Sequence, residues 1–241
     1  MTEKKVLAYC KENLLLADIK ECVVKGKARV EYASEKGVLI AEKDSDIYMF
    51  ACEDEKCGEE ILFCLPKEKL AEKSCLIVSH GIPSALAVRK KYPLKSETPC
   101  YQVVYEKAFW ESEMESELNY HFSTDDEIEE IIKVYDRESP QNLRDLHRRK
   151  QIISAYNQSG EWVGFIGRHP EGSMGLLLIF PEYRRNGYAY LLEGHLIEEI
   201  LKEGRLPYAH IVEDNEKSIA LQKKLGFSFA DEKIIWHRIE K

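Results

Sequence analysis

The chain has 241 residues, 44% hydrophobic and 32% charged, with a formal charge of −8. That is enough for two modest cores, and the composition is neither disordered nor fibrous. No apolar stretch approaches the roughly 18 residues of a membrane span, and the opening Met1 to Lys5 leads into a segment broken by Lys11, Glu12 and Asp18. A secretory or transit leader is therefore not expected, and the reading is a cytoplasmic protein.

The seven cysteines (Cys10, Cys22, Cys52, Cys57, Cys64, Cys75 and Cys100) lie in the first 100 residues, an odd number without a compact framework, which predicts reduced thiols. Cys52, Cys57 and Cys64 lack a paired C-x-x-C or a nearby histidine, so strand burial outranks structural zinc and no metal is expected. The first 110 residues balance acids and bases, so the net charge sits in the second half. Between Glu111 and Glu130 there are nine acids and no Lys or Arg, which argues against a nucleic-acid partner.

In chain order, the pattern predicts a helix from Lys11 to Val24, then strands at Ala28 to Tyr32, Val38 to Ala41 and Ile47 to Cys52. An apolar run from Ile61 to Leu65 leads through Pro66 into a helix to about Lys73. A strand at Cys75 to Ser79, a helix from Pro83 to Lys91 and a strand at Tyr101 to Tyr105 follow. His80-Gly81 reads as a plain turn rather than the ligand loop it could also mark at a strand's carboxyl end. The polar break from Phe109 to Leu118 places a boundary there, giving an N-terminal α/β domain (1–112) and a C-terminal domain (113–241).

Beyond it come a strand at Leu118 to Phe122, helices Asp125 to Tyr135 and Asn142 to Arg149, and strands at Gln151 to Tyr156, Trp162 to Ile166 and Gly175 to Phe180. Helix Gly187 to Glu203, strand Pro207 to Val212, helix Asn215 to Leu225 and two closing strands complete the chain. The two halves share an element order without a residue-level repeat. Gly175 to Phe180 is continuously apolar, which predicts a central strand buried on both faces of a partly parallel sheet. Trp110, Trp162 and Trp236 read as core or interface residues, since no basic stripe accompanies them.

The chemistry is concentrated between that strand and the helix after it, at Pro181-Glu182-Tyr183-Arg184-Arg185-Asn186-Gly187-Tyr188-Ala189. A helix N-terminus leaves backbone N–H groups without internal partners and adds partial positive charge, so it suits a phosphate. Gly187 lets backbone approach the ligand, and Arg184 and Arg185 add cations. The loop is neither G-x-x-x-x-G-K-[ST] nor G-x-G-x-x-G, and on spacing alone it could equally be a tight packing turn.

Arg184-x-x-Gly187-x-Ala189 after a buried strand resembles the R/Q-x-x-G-x-G/A signature of the GNAT superfamily of acyl-CoA-dependent N-acetyltransferases. Asn215-x-x-Ser218-x-x-Leu221-x-x-Lys224-Leu225-Gly226-Phe227 is similar to the second signature of that family. Within it, Leu178-Ile179-Phe180-Pro181-Glu182-Tyr183-Arg184-Arg185 and Tyr208 to Asn215 look most like the glycine N-acyltransferase-like branch. The resemblance implies an α/β protein of α+β mixed-sheet type, with a GNAT-like C-terminal domain preceded by a smaller α/β domain that could be a degenerate GNAT-like unit. That first half lacks Arg-x-x-Gly-x-Ala.

Carried over by position, the resemblance implies that Leu177, Leu178 and Ile179 pair with the pantetheine arm of acetyl-CoA or another acyl-CoA. Amides of Arg185, Asn186, Gly187, Tyr188, Ala189 and Tyr190 would hold the pyrophosphate, Asn215 would bond the pantetheine further along, and Arg184 and Ser218 would also belong to the cofactor site. The strands Gly175 to Phe180 and Tyr208 to Val212 would splay to open a wedge for the acyl carbonyl. Where many relatives carry a tyrosine acid, this chain has Gln222, so that Tyr188, Tyr190 or solvent would protonate the thiolate or the thiolate would leave unassisted. The base position on the central strand falls on Ser173, two residues from Glu171. The alternative position falls on His210, which could remove an ammonium proton near neutral pH or be a satisfied core histidine.

The expected function is transfer of an acetyl or short acyl group from acyl-CoA to a primary amine of a small molecule or peptide, with no nucleic-acid or membrane partner. The N-terminal domain would cover the acceptor site or mediate homodimerisation. Gln222 and Ser173 motivate the rival expectation of a CoA-binding module without turnover. A nucleotide-binding interaction domain is disfavoured by the missing Walker lysine. Acceptor identity and acyl length carry no sequence signal.

Overall fold

The computed structural model describes residues 2–43, 45, 47–66, 75–114 and 118–240. In chain order the elements are α1 (Thr2–Tyr9), α2 (Ala17–Val24), β1 (Ala28–Ser34), β2 (Gly37–Glu42), β3 (Ile47–Cys52), α3 (Glu55–Ile61), β4 (Leu76–His80), α4 (Gly81–Lys91) and β5 (Leu94–Val104). They continue with β6 (Asn119–Phe122), α5 (Asp125–Val134), α6 (Pro140–Arg148), β7 (Ile152–Tyr156), β8 (Trp162–Arg168), β9 (Met174–Ile179), α7 (Tyr188–Lys202), β10 (Tyr208–Val212), α8 (Glu216–Leu225) and β11 (Ser228–Ile239). Short 3₁₀ turns occupy Leu14–Leu16, Leu62–Cys64 and Pro181–Tyr183. No helix among the described residues is long and apolar enough to cross a membrane.

These elements form a mixed α/β structure of two compact units, Met1–Tyr105 with Tyr208–Lys241, and Glu106–Pro207. The chain passes between the units at Tyr105/Glu106 and again at Pro207/Tyr208, so its closing segment belongs with the first unit. Backbone pairing explains this. β10 runs antiparallel to β5, and β11 is inserted antiparallel between β4 and β5, giving the sheet order β1-β2-β3-β4-β11-β5-β10.

In that first unit β2 and β3 are buried along their whole length, because helices cover both sheet faces. Val6 of α1 and Ile19 and Cys22 of α2 pack with Ile40, Met49 and Val78 on one face. Ile61, Leu62 and Val88 pack with Tyr48, Phe50 and Ile77 on the other. The expected helix from Lys11 to Val24 is interrupted: Glu12 is left-handed at φ 54°, and Asn13 caps a 3₁₀ turn by accepting from the Leu15 amide at 3.0 Å. The helix expected from Pro66 to Lys73 lies, beyond Pro66, outside the described residues. Cys52 is buried with its Sγ 3.4 Å from Ser84 Oγ, while Cys64 is exposed.

The second unit carries an antiparallel sheet in the order β6-β7-β8-β9. Ile128 and Ile131 of α5, Leu143 and Leu146 of α6, and Ile152, Phe165 and Leu176 of the strands form its core. The first of these helices starts at the expected Asp125, the second at Pro140 rather than the expected Asn142, and both starts are chemically marked. Thr124 and Glu127 form a reciprocal capping box at α5, and Ser139 caps α6 ahead of Pro140.

Trp110 lies against α7 where Gly194 leaves room for it: a Cβ on Gly194 would sit 2.1 Å from the indole. Its ring also meets Tyr190 at 5.5 Å. Replacing Gly194 by alanine should gain about 1 kcal/mol in helix propensity yet lose about 1–3 kcal/mol to overpacking. We expect Gly194→Ala to lower the urea midpoint, and Trp110→Ala to abolish or reverse that penalty when the two are combined; an unchanged penalty would show that the indole is not its cause.

Candidate functional site

β9 is not the central strand its apolar run suggested. It is the edge of the four-stranded sheet, paired only with β8 there, and Leu177, Leu178 and Ile179 are half-buried. Between the pairs Gly167–Gly175 and Phe165–Leu178, the two residues Leu176 and Leu177 oppose Ile166 alone. This is a β-bulge, with Leu176 at φ 56° in the left-handed region. An edge strand offers unpaired backbone groups to an extended ligand, and the bulge re-aims them.

The chain leaves β9 through a tight turn. The Phe180 amide donates to Val163 O at 3.0 Å and the Tyr183 amide to Phe180 O at 2.9 Å. Arg185 (φ 67°) and Gly187 (φ 80°) are both left-handed and flank Asn186. Gly187 then serves as N-cap of α7 without a side-chain cap, and no acidic residue occupies the first turn. The Arg184 amide reaches Pro181 O, and those of Tyr190 and Leu191 reach Gly187 O. Among the described residues no hydrogen bond engages the amides of Arg185, Asn186, Gly187, Tyr188 and Ala189.

Five consecutive unpartnered N–H groups at the positive end of a 15-residue helix have the chemistry that suits an anion. Both arginines are exposed. Arg184 Nε donates to the carbonyl of Ile179 at 3.0 Å, tying the loop to the end of β9. Asn186 Nδ2 similarly donates to Tyr183 O at 3.2 Å. Met114 packs on Gly187, whose Cβ would fall 2.1 Å from the Met114 Cε. Tyr188 is half-buried and Tyr190 is buried.

Ser173 is buried and donates to Glu171, also buried. Nearby, His169 Nδ1 lies 3.1 Å from Glu138. Burial opposes the His169 charge, but the bond to Glu138 and the charge of Glu171 outweigh it and raise the ring above its ordinary value.

The remaining expected residues belong to the first unit. Asn215 is the N-cap of α8, its Oδ1 accepting from the Ser218 amide at 3.3 Å. Gln222 is buried in α8. The His210 side chain is 5% exposed, on β10 beside Trp236, with ring centroids 5.7 Å apart.

Its unexpected neighbour is Asp18, fully buried at the start of α2. His210 Nε2 lies 3.4 Å from Asp18 Oδ2, an ion-pair distance without hydrogen-bond alignment. His80 Nε2 lies 2.9 and 2.8 Å from the two Asp18 oxygens, and His80 Nδ1 lies 3.0 Å from the carbonyl of Phe50. Burial works against the Asp18 charge, yet the pull of His80 and the contacts of both histidines overcome it and hold the carboxyl well below the usual range. Sequence marked Asp18 only as a break in an apolar run, and His80 as part of a turn or, less readily, a ligand loop. The available signal was a carboxylate among Leu14, Leu15, Leu16 and Ile19, since a buried acid needs a partner.

A second buried cluster places Ser79 Oγ 2.7 Å from His237 Nε2, with His237 Nδ1 2.9 Å from Glu97. Ser79 and His237 have no exposed surface, so this line joins β4, β11 and β5 rather than meeting substrate.

The chain as a whole has the fold of GCN5-related N-acetyltransferases (GNAT). More narrowly, residues 153–236 match the family described as FR47-like protein. Among solved structures, a Drosophila protein is similar at 18% identity and TM-score 0.66, over 99% of this chain and 95% of its own. A GCN5-related N-acetyltransferase from Kribbella flavida is similar at 11% identity and TM-score 0.59, over 95% of each chain. A tandem GNAT protein from the clavulanic acid biosynthesis pathway matches at 13% identity and TM-score 0.54, over 99% of this chain and 94% of its own. No curated protein matches the sequence.

Burial pushes His237 down to about 4, with Glu97 opposing. Its folded value is below that of the unfolded chain, about 6.5, so the unfolded state takes the proton first. This contribution to stability is complete above about pH 6.5 and is lost as the pH falls towards 4. Denaturation midpoints should therefore decline over that window and decline less in His237→Gln; an identical slope in both proteins would contradict the assignment.

Proposed function

We propose that the chain is an N-acyltransferase that moves an acetyl or other short acyl group from acyl-CoA to a primary amine of a small molecule or peptide. The glycine N-acyltransferase-like branch is the finer assignment we favour. The observation that carries the proposal is the run of unpartnered amides from Arg185 to Ala189 at the uncapped start of α7, next to a bulged edge strand.

In this reading the loop amides hold the pyrophosphate of CoA, and the outer edge of β9 around Leu177 to Ile179 pairs with the pantetheine amides. Acetyl-CoA supplies the activated thioester. The chain must then deliver a neutral amine and receive charge at the carbonyl oxygen and the departing sulfur. His210 is assigned as the base and Tyr188 as the group that protonates the thiolate. Ser173 is not assigned a direct role, because its hydroxyl is buried against Glu171.

A CoA-binding module without turnover is the second reading, favoured by the buried amide of Gln222 where relatives carry an acid. Thermal denaturation in the presence of CoA species tests the shared part. Saturation at a hundredfold excess over Kd should add about 2.7 kcal/mol of stability, and Gly187→Ala should weaken binding at least tenfold. Thiol release against amino acids, polyamines and peptide N-termini separates the two readings, with Tyr188→Phe lowering kcat while leaving CoA affinity intact. Absence of stabilisation by any CoA species would refute both.

A further inference from the structure

Resting on the acyl-CoA reading of the loop from Arg185 to Ala189, we propose that Met114 is a plug on that site. Its thioether occupies the space over Gly187 that the pyrophosphate needs, and it swings aside before acyl-CoA seats.

Gly187 is the N-cap of α7, left-handed at φ 80°. Lacking a Cβ, it leaves room for a ligand to come up against the backbone. That room is already taken. A Cβ at this position would fall 2.6 Å from Met114 Sδ and closer still to Cε, and apart from the chain neighbours no other described atom comes within 4 Å of it. Because Cα lies about 1.5 Å from its own amide nitrogen, the Met114 methyl stands within about 5 Å of the Gly187 N–H.

That amide and its neighbours from Arg185 to Ala189 have no hydrogen-bond partner among the described residues. A thioether is at best a weak acceptor, and its methyl accepts nothing, so Met114 covers these donors without pairing them. A phosphate oxygen pairs them with charge-assisted bonds. A phosphate pressed against the methyl would give up water there and gain no partner. Plug and anion therefore exclude one another at Gly187.

Met114 is the free end of a strap whose other end is fixed. Trp110 lies in the space left by Gly194 of α7, and its ring meets Tyr190 at 5.5 Å. Gly187 and Gly194 are seven residues apart, close to two turns of helix, and so lie on one face about 10 Å apart along the axis. Four residues of extended chain span about 13 Å, which lets the segment from Trp110 to Met114 follow that face back to the helix start. Trp110, Met114 and α7 all belong to the second unit.

Ser112 sets the turn before the plug. Its Oγ accepts from the Met114 amide at 3.0 Å and donates to the Met114 carbonyl at 3.1 Å. The backbone of Met114 is thus held, while its half-buried side chain, unbranched and with three rotatable bonds, is free to leave by a change of rotamer alone. The affinity for CoA is then reduced by the fraction of molecules in which the plug is out, and a bound CoA holds it out.

The test uses the full chain with CoA as the probe. Calorimetric titration compares the unaltered protein with Met114→Ala, and ¹H–¹³C spectra of methyl-labelled protein follow the methionine methyls. The chain has four methionines, so the signal missing from Met114→Ala is that of Met114. The expected result is that Met114→Ala binds CoA roughly threefold or more tightly than the unaltered protein. In the unaltered protein CoA should move the Met114 methyl to the position of a solvent-exposed methionine, and inorganic pyrophosphate alone should do the same at higher concentration. Unchanged or weaker CoA binding by Met114→Ala, or a Met114 methyl that stays in place as CoA saturates, would overturn the plug. Failure of CoA to bind either protein would instead remove the acyl-CoA reading on which the plug rests.

Discussion

Everything assigned to the second unit depends on the left-handed conformations of Arg185 and Gly187, which bring the chain from the end of β9 into α7 without closing hydrogen bonds on the amides between. A conventional helix start satisfies its first N–H groups with a capping side chain, as Thr124 does for α5 and Ser139 for α6. α7 has no such residue, and Gly187 cannot supply one. Helix ends left open carry a desolvation cost once covered, so they persist where water or a ligand serves as partner. The Arg184 guanidinium strengthens this arrangement from behind by holding the Ile179 carbonyl, fixing the loop relative to the bulged strand.

The first unit solves a different problem. It buries a carboxylate completely, which would be unfavourable by several kcal/mol without compensation, and compensates it with His80 and the Ile19 amide. The resulting line of contacts joins the start of α2, the end of β4 and the edge strand β10. Ser79, His237 and Glu97 make a parallel connection between β4, β11 and β5. Polar pairing therefore ties the last segment of the chain to elements formed more than a hundred residues earlier, in addition to the backbone ladders of β10 and β11.

What could be read from sequence was local. The Arg184 to Ala189 loop and the strand-helix alternation follow from short-range patterns. The position of β9 was not legible, since an apolar run does not distinguish a strand flanked by two neighbours from an edge strand, and a bulge at Leu176 leaves no compositional mark. Assignment of Tyr208–Lys241 to the first unit depends on pairing with β4 and β5, which is non-local. The Asp18 cluster was hidden for the same reason: Asp18, His80 and His210 are separated by more than sixty residues at each step and meet only through the fold. Asn215 was anticipated as a helix-opening residue, but its side-chain oxygen is engaged by the Ser218 amide rather than left open.

The central claim is that the backbone from Arg185 to Ala189 is the phosphate seat of an acyl-CoA site. Backbone amide shifts in ¹H–¹⁵N spectra, followed during titration with CoA and separately with ATP, address it directly. The account predicts that CoA moves the resonances of Arg185, Asn186, Gly187, Tyr188 and Ala189 together, with Leu177 to Ile179 following, and that ATP does not reproduce the β9 changes. Amides of this loop that stay in place while CoA shifts a different set of residues would contradict it.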